Sequence, residues 1–381
     1  MSGSPRPEIS PARYVERLER AGVAASVAGV DALLIGVGSD LRYLTGYAAM
    51  PLERLTLLVV PAAGAPFLVV PRLELGAAQA GVRPPLHVRT WDEADDPYAL
   101  AVATIPADPA VAVSDTMLAM HVLRLQAALG GAARMGLASA VLRDLRMVKD
   151  ADEIALLRLA AQAADRVVAR IAGGPLVGRT EADVAREVRE QLILEGHEEA
   201  HFAIVGSGPN SASPHHEASE RVIRAGEPIV LDIGGTLGGY GSDITRTLWV
   251  TGGDDALGPD ERFRHLFAVL YAAQAAGTRA VKPGFECEGV DAAARSVIDA
   301  EGYAEAFFHR TGHGIGLDGH EDPYLIAGNV LPLREGMAFS VEPGIYLPGE
   351  YGARIEDIVV CGPDGPIVLN EATRELYVVD G

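Results

Sequence analysis

Apolar and polar positions alternate in two different ways along this chain. Up to about residue 146, short apolar runs such as DALLIGV (31–37), LTLLVV (55–60) and APFLVV (65–70) sit between alanine-rich stretches of helical character. Runs of that length, separated by helical segments, predict the strands of an α/β domain. From Lys149 the repeat lengthens: Ile154, Leu157, Ala161, Ala164, Val168 and Ile171 recur at helical spacing until Gly173-Gly174-Pro175. That spacing predicts a long amphipathic helix. Thr180-x-x-Asp183 reads as a cap opening a second helix to Glu195, stopped by Gly196, with Asp where Glu or Gln is usual. A third helix over 259–276 carries Phe263, Leu266, Phe267 and Leu270 on one face, and a fourth over 288–301 ends before Gly302. Strand signals lie between and after these helices, in EPIVLDIGG, DITRTLWV, MAFSVEPGIYL and ARIEDIVVC. The order helix-helix-strand-strand occurs twice without a clear sequence repeat, and the change of pattern predicts two domains, 1–146 and 147–381.

Composition narrows the class. The 381 residues are 49% apolar, enough to fill substantial cores. With 32 Lys and Arg against 52 Asp and Glu, the formal charge is −20, which leaves no basic footprint for a nucleic-acid partner. The segment MSGSPRPEIS has no apolar core of an export signal, and no run approaches eighteen uninterrupted apolar residues, so a cytoplasmic protein without membrane spans is expected. Cys287 and Cys361 are too few for a disulfide framework or a thiolate zinc site and read as two ordinary buried thiols.

The chemistry is concentrated in the predicted strands of the second domain. Asp232 interrupts the apolar run IVLDI, and an isolated carboxylate is buried only if it is paired, protonated or bound to metal. Asp243 opens the next strand, after a connection, GGTLGGYGSD, that can fold the two strands into a hairpin and bring the acids together. Glu342 in FSVEPGIY and Glu356 in RIEDIVV repeat the pattern. Four carboxylates carry about the charge that two divalent cations need, and oxygen ligands with one imidazole suit Mn, Co, Fe or Zn. His313, in RTGHGIGLDGHEDP, can supply the imidazole; Gly312, Gly314 and Gly316 allow close backbone approach and unusual dihedrals, with His320 turned to a neighbouring pocket.

These residues resemble, in order and context, the metal ligands of the pita-bread metallopeptidases, the family of methionine aminopeptidase, aminopeptidase P and prolidase. The resemblance covers roughly 149–375. It implies a C-terminal pita-bread domain of two pseudo-symmetric α/β halves around a dinuclear site, with Asp232 on one metal, His313 and Glu342 on the other, and Asp243 and Glu356 bridging. SDLRYLTGY (39–47) followed by ERLTLLVV resembles the N-terminal creatinase/prolidase-type α/β domain of the Xaa-Pro-cleaving branch. The same resemblance implies two divalent ions, with Mn as the expected metal, and a homodimer whose N-terminal domain, with SDLRYLTGY, approaches the partner's active site. SGPNSASPHHEAS (207–219) matches the segment carrying a catalytic histidine, assigned to His215, with the adjacent His216 as the alternative. His320 corresponds to a second histidine that binds substrate rather than metal, and Arg354, two residues before Glu356, can hydrogen-bond the site carboxylates. His309 and His265 read as structural.

The expected reaction is hydrolysis of the amide between an N-terminal residue and proline, in which paired cations activate a water, Glu342 moves its proton, and His215 and His320 hydrogen-bond the substrate. An Xaa-Pro dipeptidase is the first reading; an aminopeptidase on longer peptides, a metal-dependent hydrolase or lyase of a small nonpeptide compound, and a binding module without activity are the alternatives. Between Glu321 and Arg354 the only other basic residue is Arg334, in a turn-like context, so no carboxylate clamp is evident in the catalytic half; Arg42 or Arg54 of a partner chain are the candidates.

Overall fold

The computed structural model describes residues 7–381, and the chain divides into two compact units, Ile9–Arg146 and Met147–Gly381. The first six residues, part of the segment read as lacking an export signal, lie outside the described residues. Among the described residues no helix is long and apolar enough to cross a membrane.

The N-terminal unit is built on a six-stranded mixed sheet of β1 (Ala32–Ile35), β2 (Leu57–Pro61), β3 (Phe67–Pro71), β4 (His87–Trp91), β5 (Ala110–Val113) and β6 (Arg134–Leu137), in the order β4-β3-β2-β1-β5-β6. Three of the predicted apolar runs become β1, β2 and β3. Helices α1 (Pro11–Val27), α2 (Ser39–Thr45), α3 (Leu75–Gly81), α4 (Pro97–Val102), α5 (Ala119–Leu129) and α6 (Ser139–Met147) connect and flank them. Leu34, Val59, Val69, Val111 and Leu125 lie in one core of this unit. SDLRYLTGY forms α2 and its exit, where Gly46 takes the left-handed conformation that ends the helix (φ 78°).

In the C-terminal unit α7 (Ala151–Ala172) opens with a capping box between Asp150 and Glu153. Thr180 caps α8 (Glu181–Leu194), its side chain accepting from the Asp183 amide. Both pack on a sheet ordered β17-β9-β8-β7, made of β7 (Glu199–Ser207), β8 (Glu227–Leu237), β9 (Tyr240–Val250) and β17 (Tyr377–Val379). The second half repeats the plan with α9 (Glu261–Ala280) and α10 (Cys287–Ala300) beside a sheet ordered β11-β10-β12-β15-β16. Its strands are β10 (Gly312–Gly314), β11 (Glu321–Leu325), β12 (Ala338–Val341), β15 (Asp357–Gly362) and β16 (Gly365–Val368), and a separate hairpin joins β13 (Gly344–Leu347) to β14 (Tyr351–Arg354). Helix α9 runs a turn beyond its expected end because Gly277 lies inside it, where a Cβ would press on Val341 and Ala294 at 3.2 and 3.3 Å. Cys287 and Cys361 are buried and unbridged.

Three local predictions are corrected. GGTLGGYG is mostly strand, and the turn is only Gly238-Gly239, both at positive φ (65° and 89°), as a two-residue hairpin requires. MAFSVEPGIYL and ARIEDIVVC are not continuous strands. The first breaks between β12 and β13 at Glu342-Pro343 and the second between β14 and β15 at Ile355-Glu356, each passing from one sheet to another. Pro343 has no N–H for a ladder, and the Glu356 amide donates instead to the Thr245 carbonyl of β9. Both breaks fall at an acid facing the cavity.

Candidate active site

Strands β8 and β9 set the first pair of acids. Asp232 lies opposite Thr245 and Asp243 opposite Gly234, so the two acids are offset by two residues and share one face. Gly234 has no room for a side chain, since a Cβ there would sit 2.4 Å from Phe202 and from the Ser242 carbonyl. Thr245, on the same face, donates its hydroxyl to Glu356 Oε2 at 2.7 Å, which ties the acid from the second half to the first sheet.

His313 sits at the middle of β10, not in a loop. Gly312 and Gly314 let neighbouring strands approach closely: added Cβ atoms would lie 1.9 Å from the Ser340 carbonyl and 2.3 Å from that of Asp322. Neither these nor Gly316 has positive φ, so the expected unusual dihedrals are absent and the three glycines answer only to crowding. His313 Nδ1 donates to the Gly314 carbonyl at 3.1 Å, which leaves the lone pair of Nε2 facing Glu342 Oε1 at 3.3 Å and Asp243 Oδ2 at 3.6 Å. Burial, then the neighbouring His320, pushes His313 down to about 3, so no proton of its own satisfies those oxygens.

The acids crowd one another. Burial, then repulsion from Asp232 and Glu342, raises Asp243 well above the usual carboxylate range. Burial and the charges of Asp243, Glu342 and Asp232 do the same to Glu356. Burial also lifts Glu342 to about 7 against the pull of Arg354. Asp232 Oδ1 and Glu356 Oε1 are buried with no hydrogen-bond partner among the described residues. Ligand atoms converge in two acid-rich groups, Asp232-Asp243-Glu356 and His313-Glu342-Glu356, which share Glu356. An imidazole lone pair and unpartnered carboxylate oxygens aimed at one another fit cations held among them.

Arg354 braces this cluster. Its guanidinium pairs with Asp232 Oδ2, donates to Thr245 Oγ1 at 3.0 Å and to Tyr346 OH at 2.8 Å, and reaches the Pro214 carbonyl at 3.2 Å. Burial alone would lower it, yet Tyr346 and the acids hold it well above its ordinary value. Tyr346 and His309 extend the chain, and neither was singled out from the sequence as a site residue. His309 Nδ1 donates to the Arg310 carbonyl at 2.7 Å, so its Nε2 accepts from Tyr346 OH at 3.0 Å. The structural reading of His309 holds for these bonds, but its ring also lines the cavity.

That cavity, about 530 Å³, is lined by all five acid and imidazole groups and by His215, His320 and Arg354. His216 turns away to bond Glu181 at 2.8 Å, so only His215 of the pair faces the cavity. His320 lies at the mouth, its ring centroid 3.8 Å from that of His313. Arg310 also lines the cavity, its guanidinium stacked over Tyr324 and 3.3 Å from His320 Nδ1. Arg310 lies outside the stretch Glu321–Arg354, in which the sequence shows no carboxylate clamp. Arg54 is engaged by Glu53 and Glu93 within its own unit.

Residues 155–363 match Metallopeptidase family M24, and residues 17–148 match the Creatinase/Prolidase N-terminal domain. The chain belongs to the M24 metallopeptidases. It is therefore a metal-dependent peptidase with a creatinase-type N-terminal domain ahead of the M24 catalytic domain. A protein named probable dipeptidase PepE from Mycobacterium tuberculosis (strain ATCC 25618 / H37Rv) is 50% identical over 370 residues, 96% of each chain. The Xaa-Pro dipeptidase of Pyrococcus furiosus is 37% identical over 237 residues, 62% of this M24 chain and 66% of its own. Among solved structures, dipeptidase PepE from Mycobacterium ulcerans superposes with a TM-score of 0.90 at 48% identity, covering 98% of this chain and 99% of that one. A prolidase from Thermococcus sibiricus gives 0.89 at 35% identity, covering 96% and 99%.

Proposed function

We propose that this M24 enzyme is an Xaa-Pro dipeptidase that works with two divalent cations in the cytoplasm, as a homodimer. The observation that carries the reading is the set Asp232, Asp243, His313, Glu342 and Glu356 converging at one cavity, with two buried carboxylate oxygens unpartnered. Asp232 would hold one ion, His313 and Glu342 the other, and Asp243 and Glu356 would span both. Manganese is the ion of this reading, and Co, Fe or Zn suit the same mixed oxygen and imidazole set. Bound there, the cations would supply Lewis acidity toward a water and toward the negative charge that develops on the substrate carbonyl.

The chain's own groups do the rest. Glu342 takes the water's proton and returns it to the proline nitrogen, a tertiary amide nitrogen that departs only once protonated. His215 and His320 donate to the substrate carbonyl as its charge develops. Asp232 receives the substrate's amino group, which limits cleavage to the first peptide bond. Phe202, Phe308 and Ile326 give the cavity apolar walls against which the pyrrolidine ring packs.

Arg310 gives the reading its chain length. A guanidinium at the cavity wall suits a proline carboxylate at fixed reach. Arg310→Met is expected to keep the packing on Tyr324 and to lower kcat/KM for Ala-Pro by about tenfold more than for Ala-Pro-Ala, since any loss through its contact with His320 is common to both substrates. In the unsubstituted enzyme, loaded with Mn or Co, Ala-Pro should be cleaved at least as well as Ala-Pro-Ala. A tripeptide preference above roughly tenfold would reassign the protein to the aminopeptidases, and no turnover of either would favour a nonpeptide substrate.

The raised acids also predict a pH dependence. A carboxyl raised in the folded state keeps a proton that the unfolded chain releases, so stability of the metal-free protein falls as pH rises from about 4.5 upward. Glu342, lifted to about 7, shares in this loss with Asp243 and Glu356, which are raised with it. Cation binding to the ionised acids restores it. The difference in Tm between Mn-loaded and chelated protein should therefore widen from pH 5 to pH 8, and a constant difference would count against cation binding at these acids.

A further inference from the structure

The start of α8 carries a carboxylate that the reaction does not touch. Glu181 is fully buried, and its two oxygens divide the segment 207–219 between them. Oε1 accepts from the Ser207 amide at 2.8 Å, the Ser207 hydroxyl at 2.7 Å and Asn210 Nδ2 at 3.0 Å. Oε2 accepts from His216 Nε2 at 2.8 Å, the Ser219 hydroxyl at 2.6 Å and the Ser219 amide at 3.1 Å. Burial would raise this acid, yet the bonds from Ser219, Ser207 and His216 outweigh it and hold Glu181 down at about 2. One charge thus closes both ends of a segment that has no sheet partner beyond Ser207.

We propose that Glu181 is a positioning residue for His215: by fixing Ser207, His216 and Ser219 it turns the His215 imidazole into the active-site cavity. His215 is bracketed on both sides. The carbonyl of Pro214 accepts from both terminal nitrogens of Arg354, at 3.2 and 3.3 Å, while His216 is held on Glu181. His216 bonds Glu181 while His215 lines the cavity, so across this turn the two neighbours face opposite ways. Arg354 also pairs with Asp232 and lies in the same cavity, so the two anchors refer His215 to the acid cluster itself. The inference rests on His215 acting on substrate.

The test is a double-mutant cycle on the Mn-loaded enzyme. Glu181→Gln keeps the shape but offers one acceptor oxygen to six donors. It is expected to lower kcat for Ala-Pro by about ten- to a hundredfold, with KM changed less and metal content unchanged, as small misplacements of a reacting group do. In the His215→Ala background the same substitution should cost less than about twofold, because the group it positions is gone, while its effect on Tm stays equal in both backgrounds. Losses that multiply would overturn the proposal and leave Glu181 a merely structural anchor. If His215→Ala itself left kcat unchanged, the role assigned to His215 would fail first, and the proposal with it. Should Glu181→Gln not fold, His216 carries the same test. His216→Gln keeps a donor for Glu181 and should retain most activity, whereas His216→Leu should lose about tenfold in kcat; equal activity of the two would overturn the proposal.

Discussion

Glu356→Ala is expected to reduce Xaa-Pro hydrolysis by on the order of a thousandfold or more, and added Mn or Co should not restore it. Glu356 belongs to both acid-rich ligand groups, so its loss disturbs each of them. The fold should survive, because the backbone at this position is held independently of the side chain: the Glu356 amide donates to the Thr245 carbonyl, and its carbonyl accepts from Arg246. The variant has a second signature of opposite sign. Removing one of four mutually repelling carboxylates should make the metal-free variant more stable than metal-free wild type, since function here maintains an arrangement that folding alone disfavours. The unsubstituted enzyme should lose activity on chelation and regain it with either ion. Full activity in protein verified to be free of metal, or an undiminished Glu356→Ala, would remove the metal site as the origin of catalysis.

How much of this was legible in the sequence differs by kind of interaction. Helical periodicity located α7 to α10, because a buried stripe at 3.6-residue spacing is written locally. The buried acids were legible for the opposite reason: Asp232 and Glu342 violate the apolar pattern around them, and the violation marks a charge that needs a partner. The breaks in the strands were not legible. Glu356 leaves the ladder because its amide finds a carbonyl on β9, a partner more than a hundred residues away. The glycines around His313 were recognised as a sign of crowding, but the strands that crowd them, through Ser340 and Asp322, appear only once the sheet is assembled. That His216 turns from the cavity to Glu181, some thirty residues upstream and without any motif of its own, was likewise not legible. Arg310 opens the histidine motif and His309 precedes it, yet both look like ordinary polar residues; only the chain from Arg354 through Tyr346 and the walls of the cavity give them a place.

His320→Ala should separate substrate chemistry from metal binding. Arg310 can only donate, so its 3.3 Å approach makes His320 Nδ1 the acceptor and puts the ring proton on Nε2. Burial, then the Arg310 guanidinium, holds His320 below its ordinary value, which favours the neutral ring with one N–H to offer. A neutral donor at the cavity mouth suits a substrate carbonyl whose oxygen becomes negative. The acids and His313 lie deeper, and the two shared groups of ligand atoms do without His320. The variant is therefore expected to keep most of its metal, measured by elemental analysis after dialysis, and to lose about a hundredfold or more in kcat. His313→Ala should do the reverse and lose metal first, because its Nε2 lone pair faces Glu342 and Asp243. His320 also converges with Asp243 and His313 in a third possible ligand group. If His320→Ala emptied the site, that group would be the true ligand set, and the second histidine of RTGHGIGLDGHEDP would hold metal instead of substrate.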